Sequence, residues 1–156
     1  MYSNILKREL QFDDIGHERL NVYRLAYKLA MEIFEISKTF PKEEMYSLTD
    51  QIRRSSRSVS ANIGEGYRKR LYPKSFVSKM IEVDGEATET VIHIRFAHDC
   101  GYLSKEDYAY FKTEYAAIGQ MINGMIQHPE KFVPGGSSGS SSTATATATA
   151  TATLKK

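Results

Sequence analysis

Apolar residues recur at helical spacing through most of this chain, and the pattern stops at recognisable punctuation. Val22, Leu25, Ala26, Leu29, Ile33 and Ile36 form the first run, with Arg24, Lys28, Glu32, Glu35 and Lys38 largely on other faces. Phe40-Pro41 stops it, because the residue before a proline is pushed out of the α region, so the predicted helix covers 20–39. A second start signal stands at Ser47-Leu48-Thr49-Asp50, where a serine precedes a carboxylate by three residues. Aspartate is a weaker partner there than glutamate or glutamine. Leu48, Ile52, Val59 and Ile63 then mark one stripe, with Ser55 and Ser56 as small residues that let a neighbouring helix approach. This helix is expected to end near Tyr67–Arg70. Gly64 and Gly66 each cost roughly 1 kcal/mol relative to alanine in a helix interior, so each requires a packing or termination reason.

The third run begins around Tyr72-Pro73, since proline suits a first turn. Phe76, Met80, Val83, Ala87, Val91 and Ile94 continue it, and Gly101 ends it. The fourth opens on the serine–carboxylate signal Ser104-Lys105-Glu106-Asp107. It carries Tyr108, Phe111, Tyr115, Ile118, Ile122 and Met125 and closes at His128-Pro129. No strand-like alternation or hairpin signal intervenes. Four amphipathic segments with short connections predict an all-α, antiparallel up-down-up-down four-helix bundle over 20–133, after a polar lead-in at 1–19. From residue 134 the chain turns to Gly/Ser and then to a Thr-Ala alternation. Such a segment has too little apolar surface to offset ordering entropy and reads as a disordered tail, either native low complexity or a remnant of cloning.

Composition narrows the class without naming a function. The 156 residues carry a formal net charge of +2, too small in itself to imply nucleic acid. Cys100 is the single cysteine, which removes an intramolecular disulfide or a cysteine metal cluster and fits a reducing compartment. The first residues lack a signal-peptide pattern and no run approaches the ~20 apolar residues of a membrane span, so a cytoplasmic protein without a membrane partner is the default expectation.

Charge placement changes the picture more than total charge. Between residues 50 and 80 the chain holds Arg53, Arg54, Arg57, Arg68, Lys69, Arg70, Lys74 and Lys79 against Asp50 and Glu65, a net of +6. Arg53 and Arg57 share a helix face, Arg54 sits on the adjacent one, and Arg68-Lys69-Arg70 lies at the turn into the third helix. Guanidinium groups suit phosphate because their planar donors grip two oxygens. Tyr67 and Tyr72 bracket the run and offer stacking to unpaired bases. Set against this is a plainer reading, in which these are solvated residues or pair with acids of a neighbouring subunit. The remainder of the chain is net acidic, so the molecule is dipolar, which serves nucleic-acid binding or head-to-tail assembly alike.

Catalytic and metal constellations are not supported. Glu82, Glu86, Glu89 and His93 follow one another along the third helix, but Glu89-x-x-x-His93 is not the Glu-x-x-His of di-iron bundles and no other helix supplies a counterpart. His17, His93, His98 and His128 form no ligand pattern. Ser55, Ser56, Ser58 and Ser60 lack a nearby histidine or a nucleophile elbow, and Gly64-Glu65-Gly66 is not a phosphate-cradling loop. A non-enzymatic chain with no cofactor and no metal is expected.

Several stretches together resemble the bacterial 23S rRNA intervening-sequence proteins. They are Leu20-Asn21-Val22-Tyr23, Ala26-Tyr27-Lys28-Leu29-Ala30, Phe40-Pro41-Lys42-Glu43-Glu44, Leu48-Thr49-Asp50-Gln51-Ile52-Arg53-Arg54-Ser55 and Ser58-Val59-Ser60-Ala61-Asn62-Ile63-Gly64-Glu65-Gly66-Tyr67. Gly85, Glu89 and Gly101-Tyr102-Leu103-Ser104 follow in order, so the resemblance spans about residues 20–127. Gln-Ile-Arg-Arg and Asn-Ile-x-Glu-Gly are its most specific parts. Gly64 stands where the family usually has alanine, and Glu86 where serine commonly follows the glycine. The resemblance implies a basic four-helix bundle assembled into a ring, typically a homopentamer. A related branch, the accessory variability protein of diversity-generating retroelements, binds a reverse transcriptase and nucleic acid. Gln51, Arg53, Arg54, Asn62, Glu65 and Gly66 are family-pattern positions, of which Gln51, Asn62, Glu65 and Gly66 are expected to serve structure or subunit contacts.

Two functions follow as expectations. One is an oligomeric accessory protein that binds RNA or DNA through Arg53, Arg54, Arg57, Arg68, Lys69 and Arg70. The other is a protein-interaction scaffold, for example an accessory subunit of a reverse transcriptase, in which the same residues hold a neighbour.

Overall fold

A computed structural model describes residues 5–134 and shows an all-helical chain. Helix α1 spans Asn21–Ser37, α2 Leu48–Arg68, α3 Pro73–Asp99 and α4 Lys105–Gln127, with single 3-10 turns at Gly16–Arg19, Lys42–Glu44 and Pro129–Phe132. Among the described residues there is no strand. Each helix packs on its neighbour in the chain, and α1 also packs on α4. The expected Gly/Ser and Thr-Ala tail lies, apart from Pro134, outside the described residues.

The apolar stripes read from the sequence become one core. Leu29, Ile33, Ile52, Ile63, Phe76, Phe111 and Ile118 are almost wholly buried, and truncating any of them to alanine is expected to cost about 2–5 kcal/mol. Ser55 and Ser56 continue the α2 stripe inward, and the buried Thr90 hydroxyl of α3 donates to Ser55 Oγ at 2.9 Å. The two small hydroxyls therefore meet where α2 and α3 pack, each with a partner, instead of leaving buried polar atoms unpaired.

Helix ends are set by local chemistry. The α1 turn tightens at its C-terminus: Lys38, Thr39 and Phe40 amides bond three residues back, and the Thr39 hydroxyl donates to the Ile36 carbonyl at 2.7 Å. α3 ends in a Schellman arrangement, with Tyr102 N–H on the Ala97 carbonyl and Gly101 N–H on that of His98. Gly101 has φ +85°, a conformation that favours glycine, so it stops the helix where expected. Ser104 caps α4 by accepting the Asp107 amide at 3.0 Å.

The start of α2 differs from expectation. Ser47 is the N-cap residue, yet its side chain accepts no amide. Its hydroxyl instead donates to Glu44 Oε1 at 2.6 Å, and that same oxygen receives the Leu48 amide at 3.3 Å. Glu44, held on the preceding 3-10 turn, replaces the Ser47–Asp50 box. Its carboxyl is held below the ordinary range by the Ser47 hydroxyl, the Tyr102 phenol and the Leu48 amide.

Glu32 is a second correction. Expected on a polar face, it is fully buried, and its Oε1 accepts the Tyr110 hydroxyl of α4 at 2.7 Å. Of the two α2 glycines, Gly66 has a packing reason, while a Cβ at Gly64 would find ordinary contact distance. A Cβ at Gly66 would collide with the Met80 terminal methyl, so α2 and α3 approach closely there. At Gly64 a Cβ would stand 3.4 Å from His17 Cδ2, so the lead-in packs its imidazole against the bare backbone. The lead-in also sets Phe12 edge-on to Tyr23 and Tyr27, with ring centroids 6.3 and 5.6 Å apart.

Candidate nucleic-acid interface

Cations on α2 fall into two groups because the helix meets different neighbours along its length. Near its first half α2 lies against α1, and a basic side chain there finds an aromatic face and a hydroxyl. Arg53 Nε donates to Ser37 Oγ at 2.8 Å, and its guanidinium stands 4.9 Å from the Phe34 ring centroid. Arg57 approaches the same ring at 5.6 Å and Lys38 at 4.7 Å. Three cations around one ring are tolerable because the face of the ring is electron-rich, each contact being worth about 0.5–1 kcal/mol at an exposed site. Lys38 is further neutralised by Glu35 at 3.0 Å.

Arg54 points away from this seam and is exposed. One helix face runs through Arg54, Arg57, Ala61, Glu65 and Arg68, all exposed and spaced by threes and fours. Arg57 and Arg68 are three turns apart on it, about 16 Å along the axis. At the far end Arg68 and Lys69 are exposed, while Arg70 folds back on its own turn. Its Nε donates to the Tyr67 carbonyl at 2.7 Å and its guanidinium covers the Tyr67 ring at 3.6 Å. Leu71 and Tyr72 project from the connection, 64% and 66% exposed.

Beside the turn is a notch of about 240 Å³ lined by Lys69, Lys74, Ser75, Ser78, Lys79 and Glu82. Lys79 is neutralised there. Its amine lies 3.1 Å from Glu65 and 3.4 Å from Glu82, and the Glu65 hydrogen bond raises its pKa above the ordinary lysine value. Glu65 thus joins α2 to α3. Among the described residues, by contrast, no carboxylate makes an ion pair with Arg53, Arg54, Arg57, Arg68, Lys69 or Arg70.

The remaining pattern positions sit as follows. Gln51 is exposed on the first turn of α2. Asn62 donates to the Ser58 carbonyl at 2.9 Å and to the Ser58 hydroxyl at 3.3 Å, within its own helix. Gly66 is buried against α3. Phe34, Ser37 and Lys38 are not singled out by the sequence. The single local signal is the four-residue step from Phe34 to Lys38, and Ser37 matters only once α1 and α2 are docked.

The buried Glu32 lies away from this surface. Burial pushes its carboxyl above the ordinary range, and burial likewise raises the Tyr110 and Tyr115 phenols. Glu32 Oε2 stands 4.0 Å from Lys28 Nζ. Among the described residues no cluster of three His, Cys, Asp or Glu is placed to hold a metal ion, and no helix is long and apolar enough to cross a membrane.

Comparison with known proteins agrees with the architecture. A crystal structure of a protein of unknown function from the S23 ribosomal protein family of Bacteroides thetaiotaomicron matches with a TM-score of 0.62 at 22% identity. The match covers 68% of this chain and 98% of that one, and at that identity it speaks for the fold. No curated protein matches the chain. The family model of the 23S rRNA-intervening sequence proteins matches residues 18–124, which takes in α1, α2, α3 and nearly all of α4. The chain belongs to the 23S rRNA-intervening sequence protein family.

Proposed function

We propose that this protein is a non-enzymatic, self-assembling accessory protein, an up-down-up-down bundle that binds RNA or DNA through the basic surface of α2. One observation carries the reading: Arg53, Arg54, Arg57, Arg68, Lys69 and Arg70 lie within 18 positions of each other and none has an acidic partner among the described residues. Unneutralised guanidinium and ammonium groups concentrated on one side attract phosphate without reading base sequence. The six residues contribute unequally. Arg53 and Arg57 are partly committed to α1, whereas Arg68 and Lys69, with Lys74 beside them, face outward. Tyr72 is exposed next to them and supplies a stacking surface for an unpaired base. The family description, 23S rRNA-intervening sequence protein, names an RNA, which supports RNA over DNA.

A salt titration of binding to a single-stranded RNA tests this. Losing three phosphate contacts through Arg68→Gln, Lys69→Gln and Arg70→Gln should reduce the slope of log affinity against log salt by about 2. Affinity at low salt should drop at least tenfold with the helical circular dichroism unchanged. An unaltered slope and affinity would remove the turn from the interface. Wild-type protein that ignores RNA at low salt would leave the scaffold reading, with these cations holding protein instead.

A further inference from the structure

α3 carries apolar side chains on two sides, and the bundle covers one. Phe76, Met80, Val83, Ala87 and Ile94 face the core. On the opposite side Ile81, Ile92 and Phe96 are 56%, 49% and 58% exposed, with exposed Gly85 and Thr88 between them. Steps of four, three, four and four keep these five on one face, roughly half a turn from the buried set. The stripe is about 22 Å long. Its two middle residues are small, so a neighbouring helix can come close at its centre and meet large apolar side chains towards its ends. Since α2 and α4 pack on the inner side, neither reaches it. An exposed stripe of this kind marks a surface that meets another molecule.

Charge indicates what that molecule presents. Along the stripe, from Ile81 to Phe96, the chain carries Glu82, Asp84, Glu86 and Glu89 against Arg95, which Asp99 neutralises at 2.9 Å. Pairing this face with its own copy would set those acids against each other, a like-charge juxtaposition that costs several kcal/mol. The outer face of α2 is the complement. It presents Arg54, Arg57 and Arg68 around the small Ala61, over about 21 Å. Its own acid, Glu65, is already held by Lys79. Arginine stems cover apolar surface while their heads reach carboxylates. Residues 135–156 hold a single large apolar side chain, Leu154, and cannot supply a counter-stripe.

We propose that the outer face of α3 in one copy docks on the outer face of α2 in the next. Ile81, Ile92 and Phe96 lie along the Arg54–Arg68 face, and Glu89 meets its arginines together with Glu82, which is shared with Lys79. This deepens the self-assembly part of the proposed function and rests on it. The contact joins two different surfaces, so each copy offers one of each, and repetition closes a ring when the rotation allows. In the oligomer Arg54, Arg57 and Arg68 are then engaged by the neighbour, and the nucleic-acid contacts fall to Lys69 and Lys74 at the rim, with Arg70 once it leaves the Tyr67 ring.

Light scattering of the full chain at low salt tests the pairing. The wild type should be oligomeric. Ile92→Glu, Arg54→Glu with Arg57→Glu, and Glu82→Lys with Glu89→Lys should each give the mass of one chain with unchanged helical circular dichroism. Combining the two charge reversals in one chain should restore the oligomer. An oligomer unaffected by Ile92→Glu would overturn the assignment of this face and leave self-assembly standing. Dissociation by Ile92→Glu without any effect of the arginine reversals would overturn the α2 half. A monomeric wild type would overturn both the pairing and the self-assembly on which it rests.

Discussion

The two ends of α2 carry the same kind of charge and spend it differently. Arg53 and Arg57, in the first half, lie beside α1, which offers them the Phe34 ring and the Ser37 hydroxyl. Arg68 and Lys69, at the last turn, face solvent. The cation type is nearly the same in both places. What differs is the neighbouring helix: where it presents an aromatic face the cation becomes part of the seam, and where the chain turns away the cation is left to find a partner elsewhere. A basic window counted along a sequence therefore overstates the number of charges free to bind a ligand.

Four substitutions break or sharpen that contrast. The largest effect is expected at Gly66, where any side chain meets Met80 in a buried contact between α2 and α3. Gly66→Val should cost about 2–3 kcal/mol in urea unfolding, through overpacking of that contact. It should also weaken RNA binding, because it displaces the turn that carries Arg68 and Lys69. A variant of wild-type stability would show that the Met80 methyl swings aside to make room.

Next comes the pair Arg53→Ala and Arg54→Ala. The first loses a hydrogen bond and a cation–π contact and should cost about 1–2 kcal/mol. The second removes an exposed side chain without an ion-pair partner among the described residues and should change stability by less than about 0.5 kcal/mol. Equal effects at the two positions would erase the distinction between seam and free cations.

The smallest effect, and the one seen against pH, is at Glu32, a charge with too little compensation. Burial raises its folded-state pKa above the value of 4.5 expected unfolded. The folded state thus binds the proton more tightly, so the contribution of this group to stability is greatest below pH 4.5 and declines as pH rises through the folded-state value. Glu32→Gln keeps an oxygen for the Tyr110 hydroxyl and cannot ionise. It should be the more stable protein at neutral pH, with the difference vanishing in acid. A wild type that instead gains on the variant as pH rises would mean that Lys28 and Tyr110 more than offset the burial.

Much of the fold is legible in the sequence because helix punctuation is local. Pro73, Gly101 and Ser104 each act within one turn, and each marks a helix end close to where it is read. What escapes depends on residues far apart in the chain. Glu32 sits one position from Ile33 and looks like ordinary surface, since its partner Tyr110 lies 78 residues away. Glu44 takes the place of the Ser47–Asp50 box because the preceding 3-10 turn swings its carboxylate over the helix start, a geometry that no spacing rule encodes. The outer stripe of α3 is hidden for another reason. A helix with apolar side chains on two sides has weak periodicity, and the eye follows the face that reaches the core. At the candidate site the arginines are visible and their sorting is not, because Phe34 acquires meaning only when α1 and α2 are docked.

Glu44 joins two jobs in one side chain. One oxygen receives Ser47 and Leu48 at the start of α2, and the other accepts the Tyr102 hydroxyl at 2.8 Å from the connection between α3 and α4. That bond, with burial, pushes the Tyr102 phenol up to about 12. The carboxylate is therefore a rivet between two hairpins of the chain. A shorter acid cannot span both, and an amide of equal length keeps one oxygen for Ser47 and Leu48 but must turn the other contact into a donor to the Tyr102 oxygen, so a change here reaches the start of α2 and the α3–α4 connection together.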